Sequence, residues 1–87
     1  MLLKNTFIFK KIGEEGMLIP IVGGNVNASK IFNLNETGTY IIKKLMDDVE
    51  IEDIIKAMLD EYQVDRKTLE SDLNEFIKEL KKRGFYE

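Results

Sequence analysis

Carboxylates are the side chains of this chain that could most readily do chemistry, and among the adjacent pairs Asp47-Asp48 and Glu52-Asp53 fall at the ends of predicted helices. Groups of this kind act as general acids, general bases or metal ligands when several converge on one point. Neighbouring residues on a helix do not face each other, however, and nothing else converges on either pair. We therefore interpret both pairs as charges at helix ends, and the sequence predicts no metal site.

Histidine and cysteine are both absent from the chain. The commonest general base, the commonest metal ligand, the thiolate nucleophile and the disulfide are therefore missing. The remaining residues offer no candidate pair of nucleophile and base. The sequence thus predicts a protein that is not an enzyme and that carries no cofactor of its own.

The composition predicts a single folded domain over residues 1–87. Apolar residues make up 44% of the chain and charged residues 33%, a balance that is too apolar for a disordered segment. The longest apolar run, residues 17–22, is far shorter than the roughly 20 residues that span a bilayer. Met1-Leu2-Leu3 is followed directly by Lys4, unlike a secretion signal. We therefore expect a cytoplasmic protein without a membrane partner.

Residue types in the first third of the chain predict three β-strands. Phe7–Ile12 is rich in β-forming residues whose side chains alternate between two faces. A turn with a glycine at each end would reverse the chain into a second strand at residues 17–21. Residues 23–25 and 27–29 are interpreted as loop, and residues 30–34 as a third short strand.

The sequence after Asn35 predicts three helices. Asn35 is a good N-cap for the first, which extends to Met46, because its side-chain oxygen can accept a backbone N–H of the first turn. Gly38, one turn in, costs helix stability unless another group must approach the backbone closely there. Asp65 is a good cap for the third helix. Apolar residues recur at helical spacing at Ile41, Ile42, Leu45 and Met46, then at Ile51, Ile54, Ile55, Met58, Leu59 and Tyr62, and finally at Leu69, Leu73, Phe76, Ile77 and Leu80.

Three strands followed by three helices predict an α+β domain in which an antiparallel sheet precedes the helices. The last helix should end at Gly84, leaving Phe85-Tyr86 to cover the core or to add a strand. Winged-helix DNA-binding proteins share this order of helices and provide the alternative function. Their third helix presents a basic, polar start to DNA, whereas residues 65–72 are charge-balanced and the net charge of the chain is −3. We therefore expect no nucleic-acid partner and rank DNA binding second.

Three sequence segments, which together extend over nearly the whole chain, occur in a characteristic order. They are the strand-to-helix junction at residues 32–38, the start of the second helix at residues 51–54, and a third-helix segment that begins with Asp72-Leu73, continues through Phe76 and ends at Gly84. In this order they resemble the PqqD-like family, the precursor recognition elements of ribosomally synthesised and post-translationally modified peptides.

The resemblance implies a winged-helix-like fold with a three-stranded N-terminal sheet and three helices. It also implies a non-catalytic module that binds the leader segment of a precursor peptide. The leader would add as a strand to the third strand, in a groove shared with the third helix. The module would then present the peptide to a modifying enzyme, often a radical S-adenosylmethionine (SAM) enzyme.

The residues expected to bind the peptide lie on the third strand and along one border of the third helix. An open strand edge offers unpaired backbone groups to a guest strand. At about 100° per residue, three charged side chains fall on the helix border next to Phe76, where Asp72 or Glu79 would pair with a basic leader residue. An ordinary sheet strand and a solvated helix face are the alternatives, and Glu70, Ile77 and Lys81 form the opposite border. The predicted binding residues are Lys30, Ile31, Phe32, Asn33, Leu34, Asp72, Phe76, Glu79 and Arg83.

Overall fold

The computed structural model describes residues 7–86, in which an antiparallel sheet precedes three helices. The predicted α+β class and this order of sheet and helices are confirmed. Residues 1–6 and 87 of the predicted domain lie outside the described residues. None of the described helices is long and apolar enough to cross a membrane. The elements are β1 Phe7–Ile12, β2 Glu15–Val22, β3 Asn25–Val26, β4 Phe32–Leu34, α1 Glu36–Met46, α2 Ile51–Glu61 and α3 Arg66–Lys82, with a short 3-10 turn at Ala28–Lys30.

β2 is the central strand of the sheet, and each of its neighbours runs antiparallel to it. All six residues of β1 pair with one side of β2, at residues 15–20. The other side of β2 is shared, because β4 pairs with residues 16–18 and β3 pairs with residues 21–22. Within residues 7–86, no strand pairs with the outer edge of β4. One edge of the sheet is therefore open at β4.

The prediction of a strand over residues 30–34 was wrong at its first two residues. Lys30 closes the 3-10 turn, and Ile31 is extended backbone outside the sheet, so that β4 keeps three residues. Local hydrogen bonds of Asn27 explain the difference. Its carbonyl oxygen accepts the Lys30 N–H at 3.2 Å, and its side-chain oxygen accepts the Ser29 hydroxyl at 2.7 Å. Such bonds offer the backbone an alternative to strand pairing.

A fourth strand overlaps, at Asn25, a segment that was predicted to be loop. Asn25–Val26 forms β3 and pairs with Ile21 and Val22. Gly23 and Gly24 make the connecting turn with positive φ angles of 58° and 80°. Two such residues are typical of a tight β-hairpin. The loop prediction was wrong here because a two-residue strand has no periodicity that could reveal it.

Pro20 lies within β2 although it has no N–H to donate to a neighbouring strand. A proline in a strand predicts a sheet edge or a bulge. In this sheet it lies between the residues of β2 that pair with β4 and those that pair with β3. Its carbonyl oxygen accepts the N–H of Asn27 at 2.8 Å. The gap between β3 and β4 is filled by the 3-10 turn, which ends at Lys30.

The hydrophobic core lies between the sheet and the three helices, whose predicted caps are in place. Asn35 Oδ1 accepts the N–H of Gly38 at 2.8 Å, and Asp65 Oδ1 accepts the N–H of Thr68 at 2.9 Å. Phe85 and Tyr86 of the C-terminal tail are buried and cover the core, which was one of the two roles predicted for them. The buried apolar residues are Leu18, Leu34, Ile41, Ile42, Leu45, Ile54, Ile55, Met58, Leu69, Leu73, Ile77, Leu80, Phe85 and Tyr86.

Gly16 marks a close approach of β2 to β1 and α1. A Cβ at this position would lie 3.0 Å from both the carbonyl oxygen of Lys10 and Cε1 of Phe9, and 3.3 Å from Cγ2 of Thr39. Because the carbonyl oxygen is part of the sheet backbone, Gly16→Ala should lower the free energy of unfolding by about 1–3 kcal/mol. Urea denaturation followed by circular dichroism measures this. The exposed neighbour provides the control, since Glu15→Ala should change stability by less than about 0.5 kcal/mol. Equal unfolding midpoints for the two variants would contradict a tight approach.

Candidate binding groove between β4 and α3

β4 lies beside α3, and the Phe32 ring bridges the two elements through Phe76 and Arg83. We call the surface between the open edge of β4 and this border of α3 the groove. The ring centroid of Phe32 lies 6.1 Å from that of Phe76 on α3, with the planes tilted by 34°. On its other side Phe32 stacks on the buried ring of Phe85 at 6.4 Å. Aromatic pairs at such distances stabilise an interface beyond the area they bury. These contacts hold β4 against α3 and give the groove an apolar floor.

Arg83 closes the groove near the end of α3. Its guanidinium carbon lies 4.2 Å from the centroid of the Phe32 ring, which is cation–π geometry. Its Nε atom donates to Oε1 of Glu79 at 2.8 Å. Because the ion pair is at the surface, it contributes little to stability. Its effect is to hold the guanidinium over the aromatic ring.

One end of the groove opens into a cavity of about 330 Å³ between the three helices, which we call the apolar pocket. Apolar side chains dominate its lining, and the exposed carboxylate of Asp72 lies at its rim. A concave, mainly apolar site with few polar groups is typical of ligand pockets. Its size suits one or two apolar side chains of a peptide. The apolar lining residues are Ile41, Met58, Val64, Leu69, Leu73 and Phe76.

Gly38 brings α1 close to the groove. A Cβ on Gly38 would lie 3.3 Å from Cε1 of Phe76 and 3.2 Å from Oδ1 of Asn35. The absence of a side chain therefore lets the Phe76 ring approach the first turn of α1 while the Asn35 cap is kept. The close approach expected from a glycine in this helix is thus present, and the approaching group is Phe76.

Tyr62 also lines the apolar pocket. From the sequence it was predicted only to be the last residue of the apolar stripe of the second helix. Its ring is held edge-on to Tyr40 at a centroid distance of 6.0 Å. Burial, followed by the nearby charges of Glu36 and Glu61, raises the pKa of the Tyr62 hydroxyl. The hydroxyl is therefore neutral at physiological pH and can donate or accept a hydrogen bond. Its place at the end of the α2 stripe was the only signal in the sequence.

The other end of the groove opens into a shallow cavity of about 430 Å³, which we call the basic pocket. Lys30 reaches it from the 3-10 turn, and Lys82 and Arg83 reach it from α3. Glu79 is the single acidic residue of the lining. Lys82 was not among the predicted binding residues; its position at the negative end of α3 is by itself sufficient to account for a positive charge.

The structure brings most of the predicted binding residues to this groove. Phe32 and Phe76 lie at its centre, Asp72 lies at the end with the apolar pocket, and Lys30, Glu79 and Arg83 lie at the end with the basic pocket. Leu34 is only 5% exposed and belongs to the hydrophobic core. Asn33 is exposed and lines a separate depression together with Met17 of β2, while Ile31 is half-buried.

The border of α3 that faces β4 is the one that carries Phe76 and Arg83. On the opposite border, Ile77 is buried in the core and the ammonium group of Lys81 lies 5.8 Å from the ring centroid of Tyr86. The alternative border therefore packs on the C-terminal tail and takes no part in the groove.

The carboxylates that were considered for chemistry lie elsewhere. Glu52 accepts from Nη2 of Arg66 at 2.6 Å, which links the starts of α2 and α3, and this hydrogen bond lowers the pKa of the Glu52 carboxyl. Arg66 also lies 3.5 Å from Glu70. Among the residues that the structure describes, no three carboxylates converge as they would to hold a metal ion. Glu52 therefore has a structural role.

Comparison with known proteins identifies relatives of this fold. The family model described as coenzyme PQQ synthesis protein D (PqqD) matches residues 15–85, which include both walls of the groove. The solved structure of TbiB1 in complex with the TbiA(beta) leader peptide superposes with a TM-score of 0.86 at 29% sequence identity, covering 100% of this chain and 95% of that one. No curated protein gives a significant sequence match.

Proposed function

Because the chain belongs to the PqqD family, we propose that it binds the leader segment of a ribosomally synthesised precursor peptide. The solved relative TbiB1 is complexed with a leader peptide and shares the fold over the whole of this chain. The observation that carries the proposal is the open edge of β4 beside α3, with the Phe32 ring on Phe76 between them. The family resemblance and the open strand edge therefore support the same function, the binding of an extended peptide.

The proposed binding mode is strand addition to β4. The outer edge of β4 has no strand partner within residues 7–86, and an extended peptide can hydrogen-bond to such an edge through its main chain. Main-chain bonds supply affinity without regard to sequence. The apolar pocket and the basic pocket, at the two ends of the groove, would supply selectivity for side chains.

In this proposal the protein is a peptide chaperone without catalytic activity. The groove is built from aromatic, apolar and charged side chains and contains no pair of nucleophile and base. The chemistry would therefore be done by a second protein, a peptide-modifying enzyme of the radical SAM type, to which the bound peptide is presented. We propose that this transfer takes place in the cytoplasm, where precursor peptides are made.

DNA binding receives little support from α3. Arg66, the first residue of the helix, is paired with Glu52 and Glu70, whose negative charges offset its own. The groove face of the helix carries Phe76 and Glu79, which suit a peptide better than a nucleic-acid backbone.

Binding should depend on the groove and only weakly on net charge. We expect the fluorescein-labelled leader of its precursor peptide to bind with an affinity that changes less than about tenfold between low and high salt. Fluorescence anisotropy measures the dissociation constant. Loss of all binding at high salt would show that electrostatics alone drives the association.

The mode of binding is tested by a matched peptide. Methylating alternate backbone nitrogens of the same leader removes N–H donors while leaving its side chains unchanged. If the leader adds as a strand, the peptide methylated on the nitrogens that face β4 should bind at least about tenfold more weakly, since several hydrogen bonds are lost. Methylation on the other set of nitrogens should have a smaller effect. Equal affinity for the parent and both methylated peptides would refute strand addition.

A further inference from the structure

The two ends of the groove carry charges of opposite sign that form no ion pair with any residue between 7 and 86. Within residues 7–86, the carboxylate of Asp72 at the apolar pocket forms no ion pair, and neither do Lys30 and Lys82 at the basic pocket. Arg83 differs from the lysines, because Glu79 neutralises it. The groove therefore has an uncompensated negative charge at one end and two uncompensated positive charges at the other.

The distance between the two ends sets the number of peptide residues that bridge them. Asp72 and Lys82 are ten residues apart on α3, which corresponds to about 15 Å along the helix axis. On the sheet side, Asn35 and Lys30 mark the same two ends. An extended chain advances about 3.4 Å per residue. The groove is therefore about four or five peptide residues long.

The direction of a guest strand follows from the sheet. Every strand pair of this sheet is antiparallel, and antiparallel pairing is slightly more stable per residue than parallel pairing. A guest antiparallel to β4 enters at the end of the groove marked by Asn35 and leaves at the end marked by Lys30. Its N-terminal part then meets the apolar pocket, and its C-terminal part meets the basic pocket.

We infer that this groove selects peptides in which an apolar side chain is followed, about four or five residues toward the C-terminus, by an aspartate or a glutamate. The apolar side chain fills the apolar pocket, and the carboxylate lies between Lys30 and Lys82. This inference rests on the proposed strand addition and specifies the order of the side chains that the groove accepts.

The same charges exclude the reversed order. A peptide with its acidic residue at the N-terminal end would bring that carboxylate to Asp72, where like charges repel. A basic residue at the other end would face Lys30 and Lys82. Specificity of this kind combines attraction of one partner with repulsion of the other. The order of charges along the leader therefore fixes its register and its direction together.

Selection from a displayed library of random 12-residue peptides tests the inference and does not require the sequence of the natural leader. The library is selected in parallel on the wild-type protein, on the double variant Lys30→Glu/Lys82→Glu and on the control Lys56→Glu/Lys78→Glu. The control changes net charge by the same amount at exposed lysines outside the groove. Melting curves check that all three proteins are folded.

We expect the wild type and the control to enrich peptides with the stated apolar-to-acidic spacing. The groove double variant should lose the acidic preference or replace it with a basic one. In matched synthetic peptides, moving the acidic residue to the other end should weaken binding to the wild type by about fivefold. Enriched peptides without a charge preference at that position, or with the same preference in all three proteins, would overturn the inference and leave strand addition intact. Failure of the wild type to enrich any peptide would contradict the proposed function as well.

Discussion

Replacing Leu73 with alanine is expected to lower the free energy of unfolding by about 2–5 kcal/mol, which is the usual cost of removing a buried leucine. Leu73 is 2% exposed and packs in the core while also lining the apolar pocket. A domain of this size has a total stability of about 5–15 kcal/mol. The variant should therefore unfold at a much lower temperature and also bind peptide more weakly, because the pocket loses one of its walls.

The neighbouring residue provides the control for Leu73. Asp72 is exposed and forms no ion pair within residues 7–86, so Asp72→Ala should change stability by less than about 0.5 kcal/mol. Thermal and urea unfolding of both variants measures the difference. If Leu73→Ala is as stable as Asp72→Ala, the described packing of α3 on the core is incorrect.

Replacing Phe76 with alanine is expected to weaken leader binding by about thirtyfold or more, since a central aromatic residue often contributes about 2 kcal/mol to an interface. Phe76 is only half-buried, touches Phe32 and lies against Gly38. Its removal would take away the floor of the groove at the place where both walls meet. The loss of stability should be smaller than for Leu73→Ala because the ring is already partly exposed.

Phe9 offers a matched control for Phe76. It is also a half-buried phenylalanine, but it lies on β1, which is separated from β4 by the central strand β2. Phe9→Ala should lower the melting temperature without a comparable loss of affinity. Anisotropy titrations at a temperature where both variants are folded separate the two effects. Equal affinities of Phe76→Ala and the wild type would place the peptide site elsewhere on the molecule.

Local chemistry made the helical part of the fold predictable. The caps at Asn35 and Asp65 and the apolar stripes depend on residues within a few positions, and the structure contains them. The strand at residues 30–34 was less predictable, because hydrogen bonds of Asn27 compete with strand pairing. β3 depends on its pairing with β2, which alternation in the sequence does not reveal.

Residues of the candidate site could be grouped from the sequence only where they lie on the same helix or strand. Phe76 and Arg83 share a helix border by simple helical geometry, and the sequence placed them together. Tyr62 and Val64 reach the apolar pocket because the end of α2 packs near α3, which depends on tertiary structure. Lys82 contributes to the basic pocket because the 3-10 turn brings Lys30 near the end of α3. No spacing rule links these positions.

The shortness of β4 has a consequence for dynamics. β4 has three residues and a single strand neighbour, and it leads directly into α1. Edge segments of this kind open locally at a lower free energy than the whole domain, so their amide protons exchange early with solvent. A guest strand would turn β4 into an interior strand and protect its outward amides. Capture of a leader would therefore slow hydrogen exchange most in β4 and in the first turn of α1, the segments that border the bound strand.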